Sequence, residues 1–536
     1  MDLLGLFETN SAVKALSSGT SGLFMMNPQE EALITGASFR RMGRNMVLVK
    51  PNLYQAQDLY NRLYGLLGDD VLLYAVEESL QVEAIASSPE TNAKKLETLI
   101  TLLQSERPVL CVTHAAAVVR YLPQPEWFTH CMLTIRTDET YDMETLKKQL
   151  ADAGYRYAKR VDSPMTFSFR GEVVDVFSTQ YEQPIRIEFF DDVIDSIRTF
   201  DAVTQRTTGV VDHITIAPAT DLLFTEEERK QLEIAVREKL EKDKKGLDQW
   251  DGEELESHVY QDLDMIAQHS SMNSLYKNRC YLENQATVLD YIKNPYVVLS
   301  CKEEVKEHLL HVNEETIQYI RELYQAKKAL LKFMVFAELQ DVLSGKTTYE
   351  INKFEPIREG IRTHVHPVSL PELTLSLALQ EIFKEAKEHR VLLCLQQDGI
   401  RKVIDECMKW DIPYVIVGES IPEVNGMYIC ADMPAEGFAY TEENLVVYTE
   451  KEIFATHRIR GRFASKFKEA QVLEDYTDLS IGDYVVHAQH GIGRYMGITT
   501  KEMDGIHRDY ILIAYAGDDE WLVPLEQFQL VRKFIG

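Results

Sequence analysis

Short, wholly apolar runs alternate with helix-spaced stretches along the first part of the chain. Met46–Lys50 (MVLVK), Val71–Ala75 and Pro108–His114 (PVLCVTH) have no polar alternation, so they predict strands covered on both faces. Asn52–Leu67 and Thr91–Gln104 carry apolar residues at helical spacing between them. Strand, helix and strand in turn predict a parallel sheet. The pattern then changes. Asp142–Ala153 reads as a helix ended by Gly154, followed by Thr166–Ser178 (TFSFRGEVVDVFS) and Pro184–Phe190 (PIRIEFF). In the last of these, Ile185, Ile187 and Phe189 alternate with Arg186, Glu188 and Phe190, so one face is core and the other displays charge beside an aromatic ring. Thr225 with Glu228 forms a capping box opening a helix to about Lys244. Tyr296–Leu299 is another buried strand, returning to the first sheet. Val391–Leu395, Tyr414–Val417, Met427–Cys430 and Leu445–Tyr448, with a helix over Ile400–Trp410, predict a small parallel sheet. From Gly482 to Val531, β-rich runs (Tyr484–His487, Arg494–Thr499, Tyr510–Tyr515, Trp521–Pro524) alternate with Gly- and Asp-rich turns, the pattern of a small bent antiparallel barrel. Gly491 and Gly493 suit a turn with positive φ, and Gly505 and Gly517 suit hairpin turns.

Size and charge narrow the function. A chain of 536 residues exceeds one core, so several domains are expected. The net charge of −28 repels phosphate backbones, which points to protein partners ahead of general nucleic-acid binding. One stretch departs from this: Arg458, Arg460, Arg462, Lys466 and Lys468 cluster in a connector over 455–480, fitting either a solvated bridging helix or a DNA contact. The seven cysteines are scattered without a CxxC pair and read as reduced core thiols of a cytoplasmic protein. No run approaches the roughly 18 apolar residues of a membrane span, and Met1–Asn10 lacks the basic start of an export signal. His487 and His490 have no third ligand nearby, so no metal site is expected.

Three stretches resemble known families. The series GDYVVH–HGIGRY–G–DYILI–Y–LVP within 482–531 resembles the RNA-polymerase-interaction domain shared by CarD-type regulators and the transcription-repair coupling factors (the Mfd family). That resemblance implies the polymerase β subunit as partner, an exposed strand edge as the mode of contact, and Lys501 and Leu522 as contact positions, with Ile511 and Ile513 on the strand between them. FRGEVVDVF…IRIEFFDDVIDSIRTFD is similar to the domain by which UvrB and the coupling factors bind UvrA. The family's contact positions fall on Arg170, Arg186 and Phe190, with Glu188 in the same row. Pattern alone reads that row equally as a solvated strand face. VLVKPNLYQAQDLYNRL resembles the strand and helix that follow the P-loop of UvrB. Counting back places the P-loop at Asn27–Ala32, where Pro28, Gln29, Glu30 and Glu31 supply no glycine and no lysine for a phosphate. Ser300 and Cys301, before Lys302, stand where the Asp-Glu motif for Mg²⁺ would lie. Glu303 and Glu304 read as an ordinary acidic helix start. Neither ATP nor Mg²⁺ is expected at this lobe.

The architecture expected is α/β multidomain: a degenerate helicase-like parallel sheet with an inserted α+β UvrA-binding domain, a small α/β domain and a C-terminal small β-barrel. The boundaries are a first UvrB-like lobe over 1–122, the UvrA-binding domain over 123–206, the rest of the lobe over 207–348, a spacer domain over 349–454, the connector over 455–480 and the polymerase-interaction domain over 481–536. The resemblance implies a monomeric recruitment platform that binds stalled polymerase at one end and UvrA at the other, without catalysis of its own. ATP, Mg²⁺ and most DNA contact would belong to the translocase motor that full-length members of the family carry beyond it. Two alternatives stand beside it: a CarD-like transcription regulator with no repair role, and a UvrB-type repair helicase.

Overall fold

The computed structural model describes residues 2–454, apart from 25, 87–88, 179, 269–271, 354–359, 372, 419 and 432–433, and then five strands beyond residue 483. The chain divides into two compact units, Met1–Gly461 and Arg462–Gly536.

The larger unit opens with β1 (Met46–Lys50), β2 (Val71–Leu73) and β3 (Leu110–His114), and every residue of β1 and β3 is buried. The helix Leu53–Leu67 starts where the Asn52 side chain accepts the Gln55 N–H at 2.9 Å, a cap for an otherwise orphaned donor. An inserted domain follows. It contains β4 (Leu133–Arg136), the helix Met143–Asp152, β5 (Arg156–Tyr157), β6 (Thr166–Arg170), β7 (Val173–Phe177), β8 (Ile185–Phe190), β9 (Val193–Phe200), β10 (Thr207–Val211) and β11 (His213–Ile216). Six of these make a sheet in the order β10-β9-β8-β7-β6-β5, while β11 pairs antiparallel with β4. The expected boundary at 206 is therefore too early. The sheet continues through Val211, and the return ladder runs to Ile216. Thr207–Val211 is exposed or half-buried throughout and lacks an apolar period, which hid it from a pattern-based reading.

Thr225 caps the helix Glu226–Lys244 with the expected capping box, and a second helix, Gln249–Ala267, packs back along it. Then β12 (Tyr296–Ser300) and β13 (Thr347–Ile351) rejoin the first sheet, which is parallel with order β13-β12-β1-β3-β2. The expected boundary at 348 cuts through β13. The last sheet of this unit holds β14 (Val365–Pro367), β15 (Arg390–Leu395), β16 (Val415–Ile416), β17 (Gly426–Ala431), β18 (Phe438–Tyr440) and β19 (Leu445–Thr449), in the order β14-β18-β19-β15-β17-β16. Its four-strand parallel part is as expected. The antiparallel pair β14 and β18 is not, since three residues are too few to show a period. One face of this sheet, through Leu392, Cys394 and Val447, shares a core with the N-terminal segment; Phe7 and Tyr440 stack with ring centroids 4.2 Å apart. All seven cysteines are buried and unbridged.

The smaller unit contains β20 (Tyr484–His487), β21 (Gly491–Met503), β22 (Ile506–Ala514), β23 (Glu520–Pro524) and β24 (Val531–Lys533), an antiparallel sheet in the order β23-β22-β21-β20-β24. A β23–β24 ladder, which would close it into the expected barrel, is not among the described pairings. Gly491 and Gly493 do not form a turn: they lie within β21, opposite His487 and Val485. The glycine that needs positive φ is Gly497 (φ 114°), beside a bulge in the β21–β22 ladder. Gly505, Gly517, His490 and the basic connector over 455–480 lie outside the described residues. No described helix is long and apolar enough to cross a membrane.

Candidate functional site

The alternation along β8 sets the first surface. Ile185, Ile187 and Phe189 are buried, Arg186 and Glu188 are half-buried, and Phe190 is 74% exposed. Antiparallel register places Asp175 of β7 and Arg198 of β9 on either side of Arg186, and Val173 and Ser196 on either side of Glu188. The Asp175 carboxylate is buried and accepts two hydrogen bonds from Arg186, from Nε at 2.7 Å and Nη2 at 2.9 Å. Such a bidentate, charge-assisted pair is among the stronger hydrogen-bond arrangements. Those bonds push the Arg186 pKa above its ordinary value, and the guanidinium lies 4.5 Å from the centroid of the Phe200 ring. Arg170, at the end of β6, is more than half exposed, with Nη2 3.9 Å from Asp175. Glu188 accepts from Ser196 Oγ at 2.8 Å and stands 3.3 Å from Arg198 Nη2. Phe190 faces Val193 across the hairpin, and Val193 is 39% exposed. All four residues expected on this face, Arg170, Arg186, Glu188 and Phe190, therefore share it. Asp175, Val193, Ser196 and Arg198 belong to the same surface and were not anticipated. The signal for Asp175 was present in the sequence: a lone carboxylate in the apolar strand VVDVF requires a partner once buried.

The second cluster lies at the C-terminal edge of the parallel sheet. Pro28 begins the helix Pro28–Met42, and Asn27 and Glu30 cap it reciprocally: Glu30 N–H donates to Asn27 Oδ1 at 2.9 Å, and Asn27 N–H donates to Glu30 Oε2 at 2.8 Å. Thr363 Oγ1 donates to the other Glu30 oxygen at 2.7 Å. Glu31 turns inward, where Lys50 Nζ donates to it at 2.6 Å and Ser300 Oγ also donates to it. Both members of the Lys50–Glu31 pair are nearly inaccessible. Gln29 is buried, with its Oε1 accepting from Arg62 at 3.3 Å and no partner for its Nε2 among the described residues. Cys301 precedes the helix Lys302–Gln325 in a left-handed conformation (φ 56°), and burial pushes its thiol up to about 11. Glu31 and Ser300 are thus brought together, whereas the Gln29 side chain meets Arg62 of the following helix. The sequence pattern did not single out Lys50, which the last position of β1 delivers to Glu31. Among the described residues no group of three or more His, Cys, Asp or Glu is placed to hold a metal ion.

The third surface is in the smaller unit. β23, carrying Leu522 opposite Leu512, is an edge strand of the described sheet, so one side of its backbone is unpaired there. Lys501 pairs with Arg508 in the part of the β21–β22 ribbon that extends past the ladders to β20 and β23. Ile511 and Ile513 are not contact residues. They are fully buried on β22, which has a strand on each side, and they pack inward along with Val485 and Tyr495. Consecutive apolar residues in Tyr510–Ile513 left the inward parity undecided in the sequence.

Comparison with known proteins matches residues 133–222 to the UvrB interaction domain and residues 479–535 to the CarD-like/TRCF RID domain. The transcription-repair-coupling factor of Bacillus subtilis (strain 168) is 29% identical over 531 residues, covering 94% of this chain and 44% of that protein. The factor of Staphylococcus haemolyticus is 25% identical over 524 residues, covering 95% of the chain and 45% of that protein. The chain is similar to the transcription-repair-coupling factors over most of its length. It spans less than half the length of these relatives. The UvrB-interaction match runs from β4 through β11 to Leu222, so it agrees with the boundaries of the folded domain better than the expected end at 206. The coupling-factor likeness also extends beyond the two matched domains over the parallel lobe, which holds the Glu31 cluster.

Proposed function

We propose that this chain is the recruiting portion of a transcription-repair coupling factor, taking UvrA on the β6–β9 face and RNA polymerase on the smaller unit. One observation carries the proposal: a UvrB interaction domain and a CarD-like/TRCF RID domain occur in one chain, and the first presents a preorganised arginine on the same face as the exposed Phe190. Exposed aromatic and arginine side chains are the usual anchors of protein interfaces. On the polymerase side the edge strand β23, with Leu522, adds to a strand of the β subunit, and Lys501 on the protruding ribbon contributes specificity. The first lobe holds the fold without nucleotide chemistry. The Glu31 carboxylate, paired with Lys50 and Ser300, occupies the crevice where an anionic phosphate would need room and positive charge. ATP, Mg²⁺ and DNA translocation are assigned to the remainder of a full-length factor.

The test is titration of the chain with purified UvrA, beside Arg170→Glu and Phe190→Ala. Both side chains are exposed, so loss of binding reports the surface rather than the fold. Arg186→Glu is a poor substitute, because it would set a second carboxylate against buried Asp175. Binding by the wild type that both variants weaken supports the proposal. Polymerase binding without UvrA binding would instead favour a CarD-like regulator. ATP turnover by the chain would return the repair-helicase reading.

A further inference from the structure

Asp175 is nearly inaccessible, yet its side chain reaches two arginines of the partner face: Arg186 through two hydrogen bonds and Arg170 at 3.9 Å. We propose that Asp175 is a positioning residue for the UvrA surface, holding Arg186 side-on so that the opposite edge of its guanidinium is offered to the partner. This rests on the reading of the β6–β9 face as that surface. An arginine has five N–H donors in a rigid plane. Asp175 takes Nε–H and one Nη2–H from below, and the Phe200 ring lies 4.5 Å from the guanidinium. Both Nη1 hydrogens and the second Nη2 hydrogen remain on the far edge, a fork matching a second carboxylate or a pair of carbonyls. An arginine on a free stem would lose rotamer freedom on binding; one already clamped has lost it during folding. The opposite role, in which Asp175 competes with the partner for Arg186, does not fit. The edge it uses faces inward, and its side chain is only 3% exposed, so no partner acid reaches that edge.

Asp175→Asn keeps the shape and one acceptor while removing the charge and the second matched acceptor. Titration against UvrA is expected to show binding weakened by about tenfold or more, with Asp175→Glu recovering part of it. In an Arg186→Gln background, Asp175→Asn should cost less than about twofold, because the side chain it positions is gone. Unchanged or tighter binding by Asp175→Asn would overturn the proposal, and so would an equal loss in both backgrounds, which a general fold defect predicts. A partner-free measurement separates this from the wider functional reading. In ¹⁵N-arginine-labelled chain, the Arg186 Nε–H should exchange with solvent about tenfold faster or more in Asp175→Asn than in the wild type. Unchanged exchange refutes the clamp whatever UvrA does. Failure of the wild type to bind UvrA while exchange responds refutes the partner assignment and leaves the clamp standing.

Discussion

Phe190 projects from the end of β8 with 74% of its surface exposed, facing only the partly exposed Val193 across the hairpin. Its removal opens no cavity, so Phe190→Ala should leave the thermal midpoint unchanged while weakening UvrA binding by about 2 kcal/mol, read by calorimetric titration. Ile513 predicts the reverse. It is fully buried, and Ile513→Ala should destabilise the smaller unit by about 2–5 kcal/mol in a denaturant melt, with polymerase binding lost only as far as folding is. His114 predicts a pH response. Burial, reinforced by His308 nearby, lowers its pKa from 6.5 to about 3. The folded chain therefore refuses a proton that the unfolded chain accepts. The contribution is fully present above pH 6.5 and is lost as pH falls toward 3, reaching a cost of about 2 kcal/mol by pH 5. Urea midpoints measured between pH 7 and 5 should fall, and His114→Gln should flatten that slope.

At the level of elements, Gly154 joins the helix Met143–Asp152 to β5 at φ 83°, and a Cβ added there would stand 2.4 Å from Thr220 Cγ2. Gly154→Ala should cost about 2 kcal/mol or more in a thermal or urea melt, from strain and overlap together. The glycine was legible as a helix stop, but its contact with Thr220 was not, because that contact spans 66 residues of sequence. The same division holds elsewhere. β1, the Thr225 cap and the two faces of β8 followed from the pattern, since each depends on residues a few positions apart. β10, β14 and β18 escaped because short or evenly exposed strands carry no period. At the candidate site the exposed row was readable, but the groups beneath it were not. Asp175 under Arg186, and Glu31 against Lys50, are pairings that only the fold brings about. Ile511 and Ile513 went wrong for a related reason: a run of consecutive apolar residues does not say which parity turns inward.

For the molecule as a whole, the division at Gly461 places the β6–β9 face and the edge strand β23 in separate units. If each carries its own partner, a chain ending at Gly461 should retain UvrA binding within about twofold of the full chain. Co-purification with polymerase should disappear in the same truncation. Loss of both would show that the surfaces depend on one another. The net charge of −28 adds a further constraint, since a surface of that sign associates faster with basic patches and responds to added salt. The Glu31–Lys50–Ser300 contact has a consequence beyond stability, although Glu31→Ala, by stranding Lys50 in the interior, should itself cost about 3–5 kcal/mol. If the chain is the recruiting portion proposed above, that internal carboxylate leaves it without a gauge of the cell's energy supply. Under the proposed reading, its readiness to gather repair proteins is set by how many partners are present, and does not run down when a starving cell's adenylate pool does.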